Sequence, residues 1–108
     1  MTWVLDSSNT TTPTVGTESS LATSTTNATF VYEVDMSALA SGEVVELRVK
    51  GTTLTGGTAG LMWKATYQAP LVCVRVQSPP VASDISINVT LKQLSGTARA
   101  FPWKLLRV

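Results

Sequence analysis

Residues 84–93 read DISINVTLKQ and alternate apolar with polar without a fault. In an extended chain Ile85, Ile87, Val89 and Leu91 stand on one side. Ser86, Asn88, Thr90 and Lys92 stand on the other. A helix would scatter the same residues around its circumference, so the pattern requires a strand with one face on a core. The period of two recurs in ATFVYEVD (28–35), which aligns Phe30, Tyr32 and Val34. It recurs in EVVELRVK (43–50), with Val45, Leu47 and Val49 inward and Glu46, Arg48 and Lys50 outward. LMWKATYQ (61–68) sets Leu61, Trp63, Ala65 and Tyr67 against Met62, Lys64, Thr66 and Gln68. LVCVRVQ (71–77) aligns Val72, Val74 and Val76.

Turn-forming residues separate these segments: SGE (41–43), TGGTAG (55–60), SPPVAS (78–83) and SGT (95–97). MSALA (36–40) is the only helical candidate, and it is one turn long. A chain of 108 residues makes one domain. The expected fold is all-β, a single antiparallel β-sandwich of jelly-roll or Ig-like type with about seven to eight strands.

Residues 1–29 differ from the rest. Ser and Thr fill half of the first thirty positions, and only Asp6 and Glu18 are charged there. Threonine favours extended backbone but supplies little core. Residues 1–27 are therefore expected as an extended arm with TWVL (2–5) as its apolar anchor, and residues 28–108 as the sandwich. Under this reading, removing residues 1–27 leaves a folded domain. A frayed terminus with one edge strand is the alternative.

The final segment, LKQLSGTARAFPWKLLRV (91–108), holds four basic residues and no acid. Its last strand aligns Phe101, Trp103 and Leu105. Pro102 has no N–H to give a ladder, so this strand is expected at an edge or with a bulge at Pro102. An exposed edge invites a neighbour. Trp3, Leu5, Arg99, Trp103, Leu105, Leu106 and Arg107 are the candidate interface residues.

Catalytic machinery is sparse. The chain has no histidine and one cysteine. That removes the usual general base and any zinc set. Cys73 reads as a small buried hydrophobe in a strand. Glu33 and Asp35 share a strand face, but that face is the outer, solvated one. TGGTAG lacks the lysine and helix of a phosphate loop. No catalytic residue, metal ligand or cofactor is expected. Trp3, Trp63, Trp103 and Tyr67 raise the alternative of a sugar-stacking platform. A net charge of +1 without a dense basic run argues against nucleic acid. MTWVLDSSNT does not read as a signal peptide, and no apolar run approaches the roughly 20 residues of a membrane helix. Synthesis in a cytoplasm, with no membrane partner, is the expectation.

Charge order carries more information. Up to Leu47 the chain has six acids and no base; from Arg48 onward it has eight bases and only Asp84. Opposite charges on the two parts invite contact between copies or with a large partner. They can equally pair across strands within one sandwich.

The motifs VDMSALASGEVVELRV and LKQLSGTARAFPWKLL, with the Thr-rich start after WVLDSS, span nearly the whole chain. In this pattern the chain resembles a group of small virion structural proteins of tailed bacteriophages. The stretch APLVCVRVQ (69–77) departs from it, being short and apolar. The resemblance implies a capsid decoration or cement protein on the virion surface. It would bridge subunits of the major capsid protein and associate with copies of itself, as a trimer or other symmetric cluster. It carries over no catalytic or binding residue. A neck, tail or fibre component and a carbohydrate-binding module for host attachment are the alternatives.

Overall fold

The computed structural model describes residues 2–108. Nine strands are present among them: β1 (Val4–Thr11), β2 (Ser19–Ser24), β3 (Ala28–Asp35), β4 (Val44–Gly51), β5 (Gly60–Gln68), β6 (Arg75–Gln77), β7 (Val81–Ser83), β8 (Ile87–Gln93) and β9 (Phe101–Arg107). They form two antiparallel sheets. Sheet I runs β1-β9-β3-β6, with β7 also paired to β3; sheet II runs β2-β8-β4-β5. β6 and β7 pair with successive parts of β3 and together fill one strand position. With that position counted once, the order is the jelly-roll arrangement, one of the two sandwich types the alternation allowed. Successive strands mostly cross between sheets, and only β4 and β5 form a hairpin within one.

The core lies between the two inner faces. Phe30, Tyr32 and Val34 of β3 and Phe101, Trp103 and Leu105 of β9 meet Val45, Leu47 and Val49 of β4 and Ile87, Val89 and Leu91 of β8. Each large side chain buried in this way stabilises the fold by about 1.5–3 kcal/mol. One polar bridge crosses the core: the Tyr32 hydroxyl donates to the Thr90 carbonyl at 3.0 Å.

Five expectations are corrected. The segment 1–27 does not form a separate arm over its described residues. β1 pairs with β9 along its length, and β2 pairs with β8. Leu21 and Ala22 pack on the core, and Pro13 and Ser24 are buried.

The last strand is interior, between β1 and β3, rather than at an edge. Thr29 and Val108 exchange both backbone hydrogen bonds. Ladder alternation then turns the even residues of β9 toward β3. Pairing of β9 with β3 stops at Trp103 and Val34, so the Pro102 nitrogen faces a position where no strand bond is required.

The 71–77 segment forms a strand only at Arg75–Gln77. β3 ends at Asp35, opposite Arg75; beyond it Met36 N–H still donates to Val74 O at 2.8 Å, but among the described residues no strand lies beside residues 71–73. Val72 is fully exposed there, and Cys73 is exposed and not the buried residue expected. MSALA folds as a turn closed by Leu39 N–H to Met36 O at 3.1 Å.

The segregated charges meet inside one molecule. Glu18 pairs with Lys50 at 2.8 Å and with Arg48 at 3.9 Å. Glu46 pairs with Arg48, and Asp6 lies 3.1 Å from Arg107. Glu43 has the most hydrogen-bond donors around it. It accepts from Arg99 Nε at 2.9 Å, Arg99 Nη2 at 3.1 Å, Ala40 N–H at 2.7 Å and Thr97 N–H at 2.9 Å. These four donors hold its carboxyl down at about 2, with the Arg99 hydrogen bonds the largest cause.

Candidate functional site

Side chains on the outer face of sheet I come from alternate positions of β1, β9, β3 and β6. β3 contributes Val31, Glu33 and Asp35, and β9 contributes Pro102, Lys104 and Leu106. The face divides into a charged half and an apolar half.

Glu33 centres the charged half and is only 8 % exposed, not solvated as its outward position implied. Gln77 Nε2 donates to it at 2.7 Å and Arg75 Nη2 at 2.9 Å. Lys104 Nζ stands 3.5 Å away. Burial pushes the Glu33 carboxyl up, but the Arg75 and Gln77 hydrogen bonds and the Lys104 charge outweigh it and hold it below the ordinary range. The open depression here, about 420 Å³, is bordered by Ser8, Asn9 and Pro102 as well. Its two acids and two bases balance, so it offers no excess charge to a ligand.

The apolar half is built by register. Leu106 of β9 stands directly between Leu5 of β1 and Val31 of β3. Trp3 and Pro80 border the same place, a depression of about 290 Å³. Trp3 is 43 % exposed and Leu5 is 56 % exposed, whereas Leu106 is half-buried and Val31 is buried, so Trp3 and Leu5 carry the accessible part of the strip. Ser78 fixes the loop that carries Pro80: its N–H donates to Tyr32 O at 2.8 Å, and Tyr32 N–H donates to Ser78 Oγ at 3.0 Å. A cluster of aromatic and aliphatic side chains on an outer sheet face is the kind of surface that marks contact sites.

Of the seven candidate interface residues, Trp3, Leu5 and Leu106 are brought together here. Trp103 and Leu105 are not surface residues and lie in the core at 7 % and 0 % exposure. The Trp103 indole N–H donates to Thr11 Oγ1 at 3.0 Å. Arg99 is held by Glu43 and Arg107 lies against Asp6, so neither is an unmatched cation. Val31 and Pro80 complete the strip and were not among the candidates. Val31 is one residue out of phase with the core set of β3, which is the signal that marks it.

The proposed aromatic platform is not assembled. Trp63 and Tyr67 pack partly into the core from sheet II, Trp103 is interior, and Trp3 stands alone on the far side of sheet I. Among the described residues, no group of three or more His, Cys, Asp or Glu is placed to hold a metal ion. Searches of protein-family models, of curated proteins and of solved structures returned no match to this chain.

Proposed function

We propose that this chain is a virion structural protein of capsid-decoration type, working by adhesion rather than by chemistry. The observation that carries the reading is the Trp3–Leu5–Leu106–Val31 strip. It places an exposed indole beside branched aliphatic side chains on a rigid sheet, a composition typical of interface anchors. Six of the seven acids sit on the N-terminal side of Arg48, and five of them pair with bases of the same molecule. Charge is therefore largely spent on internal pairing, and the apolar strip supplies the contact. Jelly-roll sandwiches recur in viral capsid and lectin domains, which agrees with the reading at the level of fold analogy alone. The partners are the major capsid protein and copies of the chain itself. Many copies bound at subunit junctions stabilise a shell by mass action.

Mass spectrometry of purified tailed-phage particles carrying the protein tests this directly. Copy numbers matching the shell subunits are expected. A few copies confined to one vertex would transfer the protein to the neck or tail. A folded Trp3→Ser, Leu106→Ser variant is expected to be absent from particles. Its full incorporation would refute the role given to the strip.

A further inference from the structure

The charged half of the outer face of sheet I is ordered by register. Ser8, Lys104, Glu33 and Gln77 lie in one row across β1, β9, β3 and β6. Two residues along these strands, Thr10 faces Pro102 and Asp35 faces Arg75. All of these except Gln77 border the depression of about 420 Å³, a volume in the range of small-molecule sites.

Glu33 organises this surface rather than serving it as a contact. Its Oε1 accepts from Gln77 and its Oε2 from Arg75, with Lys104 Nζ beside the same oxygen. A carboxylate buried with its cations adds little stability over an apolar residue of the same size. What it fixes is position. The side chains of Arg75 and Lys104, exposed at 64 % and 36 %, are held at the depression with N–H groups to spare. Asp35 supplies an acceptor. The Ser37 N–H bonds its Oδ1 at 2.9 Å, and Ser37 holds the carboxyl below the ordinary range, so it is ionised at neutral pH. A carboxylate accepts about four hydrogen bonds, and Ser37 leaves part of that capacity open. Ser8, Asn9 and Thr10 add exposed hydroxyl and amide groups along β1, and Pro102 adds an exposed apolar ring.

We infer that this depression binds a neutral saccharide. Glu33 and Asp35 against Arg75 and Lys104 leave no net charge, so a free anion or cation gains nothing from the local field. A sugar hydroxyl donates and accepts at once. It gives its proton to Asp35 while taking one from Arg75 or Lys104, and no existing pair is broken. The Pro102 ring meets the C–H face of the sugar. Recognition here is by fixed hydrogen bonds, which sets it apart from the stacking platform of Trp63, Trp103 and Tyr67. The site goes beyond the virion reading and does not rest on it, since Trp3 and Leu5 lie in the other half of the face.

Nitrogen-15 NMR titration of the full chain tests this, with glucose, galactose, mannose, N-acetylglucosamine and their disaccharides as probes. At least one is expected to shift the signals of Ser8, Asn9, Asp35 and Lys104 in a saturable way and to leave Trp3 and Leu5 unmoved. Asp35→Asn keeps an acceptor for Ser37 and removes the carboxylate, and Lys104→Met removes a donor. Each is expected to weaken binding of that sugar by about tenfold or more, the worth of a hydrogen bond to a charged group. Glu33→Gln gives the site a net positive charge. It is expected to turn the preference from the neutral sugar to its uronic acid, which a purely structural role for Glu33 would not do. No saturable shift with any of these sugars at millimolar concentration would overturn the inference. So would unaltered affinity in either folded variant, equal shifts with glycine or sulfate, or an unchanged sugar preference in folded Glu33→Gln.

Discussion

The hydroxyl of Tyr32, on β3, reaches through the core to the carbonyl of Thr90, on β8, at 3.0 Å. It ties the two sheets by a polar contact through a core built mainly of apolar side chains. Burial pushes the phenol pKa well above its usual value, so the bond does not titrate in the physiological range. Tyr32→Phe keeps the ring and removes the bond. Its expected cost is about 1–2 kcal/mol, read as a lower urea midpoint with an unchanged m-value.

Glu43 links the turn before β4 to the loop before β9. Its carboxyl titrates near 2 in the folded protein, against 4.5 ordinarily. The unfolded chain therefore takes up this proton first as pH falls. The stabilisation is present at neutral pH, begins to fail below about 4.5 and is gone below about 2. Glu18 and Glu33 are also lowered and act with the same sign. Denaturation midpoints measured down this range should fall steadily. Glu43→Gln should be less stable at neutral pH and show a shallower decline.

Gly96 and Gly56 both have positive φ, +85° and +80°. A Cβ on Gly56 would meet nothing, whereas one on Gly96 would overlap the Glu43 carboxylate. Gly56→Ala should cost about 1–2 kcal/mol, the left-handed backbone penalty alone. Gly96→Ala should cost more, because it also displaces the Glu43–Arg99 contact. Equal melting temperatures for the two variants would contradict this account.

Deletion of residues 1–27 now has an expected outcome opposite to the one read from composition. It strips β9 and β8 of their outer neighbours and removes the Glu18 bond to Thr90 Oγ1 and the Thr11 bond to Trp103. The truncated chain should lose its cooperative thermal transition and aggregate. A truncated protein that melts sharply would restore the arm.

Strands with one face on the core were legible, because Phe30, Leu47, Val89 and Leu105 each recur at a spacing of two. β1 and β2 were not. Ser, Thr and Asn alternate with one another there, and a hydroxyl gives no sign of which side is buried. Position in the sheet was also hidden. The rule for Pro102 was sound, but β9 could be interior because its pairing with β3 stops one residue short of the proline. Val72 kept the alternation of a strand, yet β3 ends at Asp35 and the last backbone bond on this side is Met36 N–H to Val74 O. In the strip, Trp3 and Leu5 stood out as apolar residues in a polar segment. Val31 was masked because it is buried like the core residues on either side of it, although it faces the other way.

β9 is the centre of sheet I, and it follows every other strand in the chain. During translation, β1 and β3 leave the ribosome long before the strand that joins them. The first forty-seven residues carry six negative charges and no positive one, and mutual repulsion keeps such a segment expanded and solvated. The nascent chain is thereby restrained from premature collapse. Its late-arriving basic part delivers the counter-charges and the joining strand together, so sheet I closes only once β9 is present.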